Sequence, residues 1–339
     1  MKSVTPLTNP ARRRIVWALV APGLVRAAAM DEARTLAVGP GRRWTALRDA
    51  VQEARSGDRI ELDPGVYRRD VAVIDQARLT IVGLGAGARL IADGRNAEGK
   101  AILVVRGTQV AVENIEFRGA RVPDGNGAGI RFEGARLTLH RCRFYDNEMG
   151  LITSNNEGPA LSIDNCDFGA APRHEGLLHH LLYVGRISSL ELSRSRFSGG
   201  WRGHLVKSRA RRNWVKHNRI DDGMTGEASY ELEFPNGGDN RVVGNVIGQS
   251  PLTRNDTMLA MGAEARDEDS GRMLLESNVF INRAGPDGRF VHVWTEKLKG
   301  NTPMRAIGNT WAGPGTVGLP ESADGGGNRR IKLADLPVG

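Results

Sequence analysis

Cysteine is nearly absent from this chain: Cys142 and Cys166 are the only two in 339 residues. They form no Cys-x-x-Cys pair, which argues against a thiolate zinc site. Aromatic residues are also scarce, at 5%. The Ala-Leu-Glu-Lys blocks of long helices are missing. Beyond the first thirty residues no stretch is apolar enough to cross a bilayer. What is abundant is glycine, 43 residues, in a chain that is 40% hydrophobic and 25% charged. That balance excludes a disordered chain and points to a folded one punctuated by turns. The formal net charge of +8 admits polyanions as partners, whether nucleic acid, anionic lipid or acidic glycan, without choosing among them.

The opening residues read as an export signal over residues 1–29. Arg12, Arg13 and Arg14 supply a basic segment, Ile15 to Val25 an apolar one too short to span comfortably, and Ala27-Ala28-Ala29 a small-residue cleavage site. The Arg pair followed by Ile15-Val16 loosely resembles a twin-arginine signal. The expectation is a periplasmic or secreted protein beginning near Met30, with no integral membrane association once the signal is removed. An uncleaved anchor is the alternative.

Leu47, Ala50, Val51 and Ala54 follow the i, i+3, i+4, i+7 pattern of an amphipathic helix, with Thr45 as N-cap and Gly57 as stop. The strand Arg59 to Leu62 and the turn Asp63-Pro64-Gly65 come next. This helix followed by GDRIELDPGVY resembles the opening of pectin-lyase-like parallel β-helices, where a helix covers the open end of a stack of coils.

Repeats then fill the chain. VENIEF, LHRCRF, IDNCDF, LSRSRF and VKHNRI are followed by GNVI, SNVF and GNTW, with large apolar residues at Phe117, Phe144, Phe168, Phe197, Ile220, Ile247, Phe280 and Trp311. A period of this length means a solenoid, because one coil is too small to bury its own apolar face. Two residues before most of these lies another column: Cys142, Cys166, Ser195, Asn218, Asn245, Asn278 and Asn309. Stacked amides can hydrogen-bond along the axis, which makes the cysteines buried free thiols, with an inter-coil disulfide as the alternative. The fold class is therefore all-β, a right-handed parallel β-helix with a short N-terminal capping helix over residues 30–313. Residues 314–339 read as a frayed Gly- and Pro-rich tail.

A second strand column includes LLYVG, HLVKS, YELEF and MLAM. Side chains alternate across a strand. With Leu182, Val184, Val206, Leu232 and Phe234 inward, Tyr183, Lys207, Glu231 and Glu233 point outward on adjacent coils. The stretch HLVKSRARRNWVKHNRI, then SYELEFPNGGDNRVVGNVI, resembles polysaccharide lyases of the chondroitinase B and alginate lyase type. The match rests on Lys207-Ser208 and on the Gly244-Asn245 turn. The resemblance implies a Lys as Brønsted base and an Arg as acid or charge stabiliser, but Glu233 stands where that Arg is expected.

β-Elimination on a uronic acid requires a neutralised carboxylate and removal of the C5 proton. Arg209, Arg211 or Arg212 can neutralise; Lys207, Tyr183, Tyr230 or His204 can transfer protons. The candidate catalytic set is Lys207, Tyr183, His204, Arg209, Glu231 and Glu233. His180, Trp201, Arg211, Tyr230, Asn236 and Glu264 are the candidate substrate contacts. Calcium is an optional cofactor, held by the Glu pair. The expected function is a monomeric polysaccharide lyase acting on an acidic polysaccharide. The alternatives are a glycoside hydrolase using Glu231 and Glu233, a C5-epimerase, and a non-catalytic glycan-binding or surface-structural β-helix. Nucleic acid is disfavoured, since no stacking platform interleaves the basic residues.

Overall fold

A computed structural model describes residues 33–336. The expected export signal lies outside them. The chain winds through three parallel sheets and forms a right-handed parallel β-helix of about 10 turns. The first sheet runs from Thr35–Val38 to Met304–Ile307 and the second from Gly65–Arg68 to Arg329–Ile331, with 11 strands each; the third runs from Ala72–Ile74 to Arg289–Val293, with 9. One coil shows the order: Arg136–His140, Arg143–Tyr145 and Met149–Thr153 belong to the first, second and third sheets, and Ala160–Asp164 returns to the first.

The corner between the first and second sheets explains the repeat. It is made by one residue in the left-handed region: Asn114, Arg141, Asn165, Arg194, His217, Gly244, Ser277, Gly308 and Gly327 all have φ between 49° and 71°. The next residue then turns inward. The left-handed residue is thus the one before the polar column, not the column itself. Arg141, Arg194 and His217 accept a strain of roughly 1 kcal/mol each there.

The polar column is a continuous hydrogen-bond ladder. The Cys142 N–H donates to Cys166 Sγ at 3.3 Å, and the Cys166 N–H donates to Ser195 Oγ at 3.1 Å. The Ser195 N–H donates to Asn218 Oδ1 at 2.9 Å. From Asn218 through Asn245, Asn278 and Asn309 to Asn328, each residue gives both its backbone N–H and its Nδ2 to the next Oδ1, at 2.9–3.0 Å. Both cysteines are free and buried. Beside the ladder the aromatic rings stack as the repeat requires, with Phe117, Phe144, Phe168 and Phe197 at centroid spacings of 5.1, 4.5 and 4.6 Å. Each buried Phe stabilises the stack by about 2 kcal/mol.

The ends differ from expectation. The capping helix is Leu47–Glu53, with Leu47, Ala50 and Val51 buried, but Thr45 does not cap it. Instead Asp70 accepts the Leu47 and Arg48 N–H groups at 2.6 and 3.0 Å, from a position 23 and 22 residues later. The helix also stops at Glu53, before Gly57 is reached. At the other end the solenoid passes residue 313. Arg329–Ile331 pairs with Thr310–Ala312, and Asn328 closes the ladder. The Gly- and Pro-rich tail expected to be frayed thus contributes a further strand, with Gly327 at its corner.

Long connections flank the third sheet. Residues 170–181 and 222–231 lead into it, and residues 262–270 lead out. Its outer face is the floor between them.

Candidate functional site

Strand alternation sends one row of the third sheet outward. Ile152, Tyr183, Lys207, Glu233, Ala260 and His292 are successive partners in register. Leu182, Val184, Val206, Leu232 and Phe234 are fully buried on the inner side. Ser208 also faces inward. Its hydroxyl donates to Asn213 Oδ1 at 2.6 Å and accepts the Ala210 N–H at 3.3 Å, while Asn213 Nδ2 donates to Asn240 Oδ1 at 2.8 Å. This second interior ladder pins the corner that carries Arg209. In the Lys207-Ser208 pair, the Ser is therefore an anchor.

The outward side chains converge on Glu264. Lys207 Nζ lies 2.6 Å from Glu264 Oε1 and 3.2 Å from Glu233 Oε2. Arg209 Nη2 donates to Glu264 Oε2 at 2.6 Å, its Nη1 to Asn236 Oδ1 at 2.6 Å, and its Nε to the Tyr183 hydroxyl at 3.1 Å. Burial works to raise Glu264, yet the hydrogen bonds from Lys207 and Arg209 outweigh it and hold the carboxyl below its ordinary range. The position expected for an Arg is Glu233, but Arg209 brings a guanidinium to the same cluster from the strand exit two residues after Lys207.

Behind Lys207 lies a dry imidazole pair. His204 Nε2 is 3.0 Å from Glu233 Oε2, and the rings of His180 and His204 are 4.6 Å apart, edge to face. The His204 backbone N–H donates to His180 Nδ1 at 2.9 Å. Burial, with the charges of Lys207 and Arg209, pushes His180 down to about 3. Burial and the same neighbours push His204 well below its ordinary value. Burial raises Glu233, partly opposed by Lys207. His204 and Glu233 thus share a buried hydrogen bond in which burial works against the charged form of each. Tyr230 stands edge-on to His204 at 5.0 Å.

Nine of the expected residues therefore meet: Tyr183, Lys207, Arg209, His204, Glu233, Glu264, His180, Tyr230 and Asn236. Three do not. Glu231 does not face outward. It lies between Leu205 and Met258, with Leu181 one coil further, all buried, because the residue just before Leu182, Val206 and Leu232 also faces inward. Among the described residues neither Glu231 oxygen has a hydrogen-bond partner. Burial, reinforced by the Asp222 carboxylate, raises it well above the carboxylate range. Two carboxylates on opposite sides of one strand cannot flank a glycosidic bond, so the Glu231/Glu233 hydrolase geometry is absent. Trp201 is 9% exposed and covered, with Arg173 and Arg202 over its ring at 5.2 and 5.1 Å and its indole N–H on the His174 carbonyl. Arg211 points into the next groove, a cavity of about 630 Å³ that Arg209, Asn236 and Asp269 also line, and pairs with Glu157. Among the described residues no group of three or more His, Cys, Asp or Glu is placed to hold a metal. With Glu231 inside and Glu233 outside, the Glu pair does not fit calcium.

Sequence reasoning missed Asp269 and Arg186. Asp269 accepts from Arg186 at 3.1 and 3.0 Å and from Asn236 Nδ2 at 3.0 Å, which fixes the far end of the 262–270 connection. The two residues are 83 positions apart, and no local pattern links them. A signal for Glu231 did exist: Leu181-Leu182, Leu205-Val206 and Met258-Leu259 are apolar pairs, and Glu231-Leu232 occupies the same place.

No family model matches this sequence, and no curated protein does. Some solved structures are similar to this chain at low identity. A pectin methylesterase from Aspergillus niger has 13% identity and a TM-score of 0.46, over 88% of this chain and 90% of that one. The pectin methylesterase from carrot has 13% identity and a TM-score of 0.42, over 88% of each chain. ORF18 of Geobacillus virus E2 has 11% identity and a TM-score of 0.39, over 85% of this chain and 57% of that one. At this distance the likeness carries no argument, and the chemistry has to come from the side chains.

Proposed function

We propose that this protein binds an acidic polysaccharide across the outer face of the third sheet and cleaves it by β-elimination at a uronic acid. One observation carries the reading. Lys207 and Arg209 hold a single carboxylate, each at 2.6 Å, and the same Arg209 donates to the Tyr183 hydroxyl at 3.1 Å. A uronate carboxylate in that place is neutralised from two sides, which acidifies its C5 proton. Lys207, paired with two carboxylates, serves as charge. Tyr183 Oη is the proton-transfer group beside the seat. In one step Tyr183 Oη gives its proton to the leaving oxygen and takes the C5 proton: the C5–H bond breaks, its electron pair forms the C4–C5 double bond, and the C4–O bond breaks. His204 and Glu233 keep Lys207 in place and exclude water from behind it. Export, as the opening residues suggest, would bring the protein to such glycans.

The measurement is ultraviolet absorbance of unsaturated products on a panel of uronic-acid glycans, with Lys207→Ala and Tyr183→Phe alongside. The wild type should generate signal and both variants should lose it. Undiminished signal from both variants, or reducing ends without unsaturation, would sink the reading. The closure of Lys207, 7% exposed, favours a second reading: a glycan-binding protein without catalysis. It predicts binding of the same panel and no product of either kind.

A further inference from the structure

We infer that Glu264 is an internal occupant of a carboxylate seat, and that residues 263–268 are a flap which an incoming uronate displaces. The inference rests on the glycan reading for the identity of the ligand; the seat itself stands on geometry.

Lys207 and Arg209 come from one corner of the helix, and the carboxylate they share comes from a connection 57 and 55 residues later. The exposure gradient is steep: the Glu264 side chain is 45% exposed, while Lys207 beneath it is 9% and Glu233 is 2%. Glu264 therefore covers the cluster from the solvent side. A buried cation pair facing outward needs a counter-anion, and here the chain supplies its own. A uronate carboxylate has the same charge and the same two oxygens, so it can replace Glu264 without leaving either cation unpaired.

The segment that carries Glu264 is built to move as a unit. Its two ends are buried and fixed. The Gly262 N–H donates to the Phe234 carbonyl at 3.0 Å, with φ at +86°, and Asp269 is clamped by Arg186. Between them Glu264, Arg266, Asp267 and Glu268 are exposed. Outside the carboxylate, and besides bonds to its own ends at Gly262 and Asp269, three hydrogen bonds tie the tip to other parts of the described chain: the Glu264 N–H to the Pro235 carbonyl, Asn236 Nδ2 to the Glu264 carbonyl, and Lys297 Nζ to the Ala263 carbonyl, each at 2.9 Å. Release of Glu264 leaves these to break in water, where single hydrogen bonds hold weakly. A fixed Glu264 that merely orients Lys207 and Arg209 for substrate makes the opposite prediction, so the two roles separate cleanly.

The test uses Glu264→Gln, which keeps the shape and removes the charge, and Glu264→Ala, both checked for folding by circular dichroism. Two quantities are read in the full chain: the dissociation constants of galacturonate, mannuronate and chondroitin hexamers by calorimetry, and the rate at which limiting acetic anhydride labels Lys207, read by mass spectrometry. The expected result is about tenfold tighter binding of the hexamer that binds the wild type, with Lys207 labelled several-fold faster in both variants. Weaker binding, or unchanged labelling in both, overturns the flap. Faster labelling with no hexamer bound by any form leaves the flap standing and removes the glycan reading. Equal binding by all forms with unchanged labelling does the reverse.

Discussion

Two polar columns run along this helix one strand apart in function and far apart in pairing. The interior ladder from Cys142 to Asn328 is complete: each member donates to the next coil. Apart from the Lys207–Glu233 pair at 3.2 Å along the axis, the outer row of Tyr183, Lys207 and Glu233 finds its partners sideways, on a connection from another coil, on a strand-exit arginine and on a buried histidine. Between them sits Glu231, buried with no partner among the described residues. A fully satisfied polar column specifies register and adds stability. A row whose partners lie across a gap can exchange them, and that is what a binding site needs. The contrast teaches that burial alone does not mark function in this fold; the direction of pairing does.

Removal of a member of the outer row is the sharpest way to test that contrast. Lys207→Ala should lower the rate of unsaturated-product formation by about a thousandfold with the circular dichroism spectrum unchanged. A folded variant with full activity would assign the row to structure.

The interior ladder should answer in the other currency. Asn278→Ala strands the Asn245 N–H, which donates to Asn278 Oδ1, takes one acceptor from Asn245 Nδ2, and removes the Nδ2 donor of the Val242 carbonyl. The loss is expected at about 3 kcal/mol, measured by denaturant unfolding, with the glycan affinity of the folded fraction unaltered. A loss under half a kilocalorie, roughly the scatter of surface substitutions, would break the comparison.

Glu231 should behave as neither. Glu231→Leu restores the apolar column of Leu181, Leu205 and Met258 and should stabilise the protein at neutral pH by about 2 kcal/mol. The pH dependence has a definite sign. The folded-state value of Glu231 lies well above its ordinary one, so the folded protein binds the proton more tightly than the unfolded chain. Its contribution is intact below the ordinary carboxylate range and is lost as the pH rises from there towards the folded-state value. Thermal melts of the wild type should fall over that range more steeply than those of Glu231→Leu. Parallel profiles would mean that Glu231 is not the buried acid responsible.

The smallest effect belongs to the end of the solenoid. Asp70→Ala removes the acceptor of the Leu47 and Arg48 N–H groups and should cost about 1 kcal/mol. Hydrogen exchange localised to residues 47–53 checks it, and exchange in the ladder should not change.

The chain's own pattern was enough to determine the coil. Alternating apolar residues, an Asn, Ser or Cys two places before a large apolar residue, and a turn at each corner repeat along the sequence, and a repeat has one way to bury itself: by stacking. The Tyr183, Lys207 and Glu233 row follows from the same alternation. Alternation by itself sends Glu231 outward; the paired apolar residues at the same place in neighbouring coils carry the opposite signal, and the tertiary structure shows that the residue before the strand turns inward. The tertiary structure alone decided that Asp70 caps the helix in place of Thr45, and that Arg209 and Glu264 complete the cluster. Those contacts join residues 22 to 57 positions apart, and their geometry is set by connections whose course depends on the coils they pack against. Periodicity is a local property of the sequence; the partner of a charge in a loop is not.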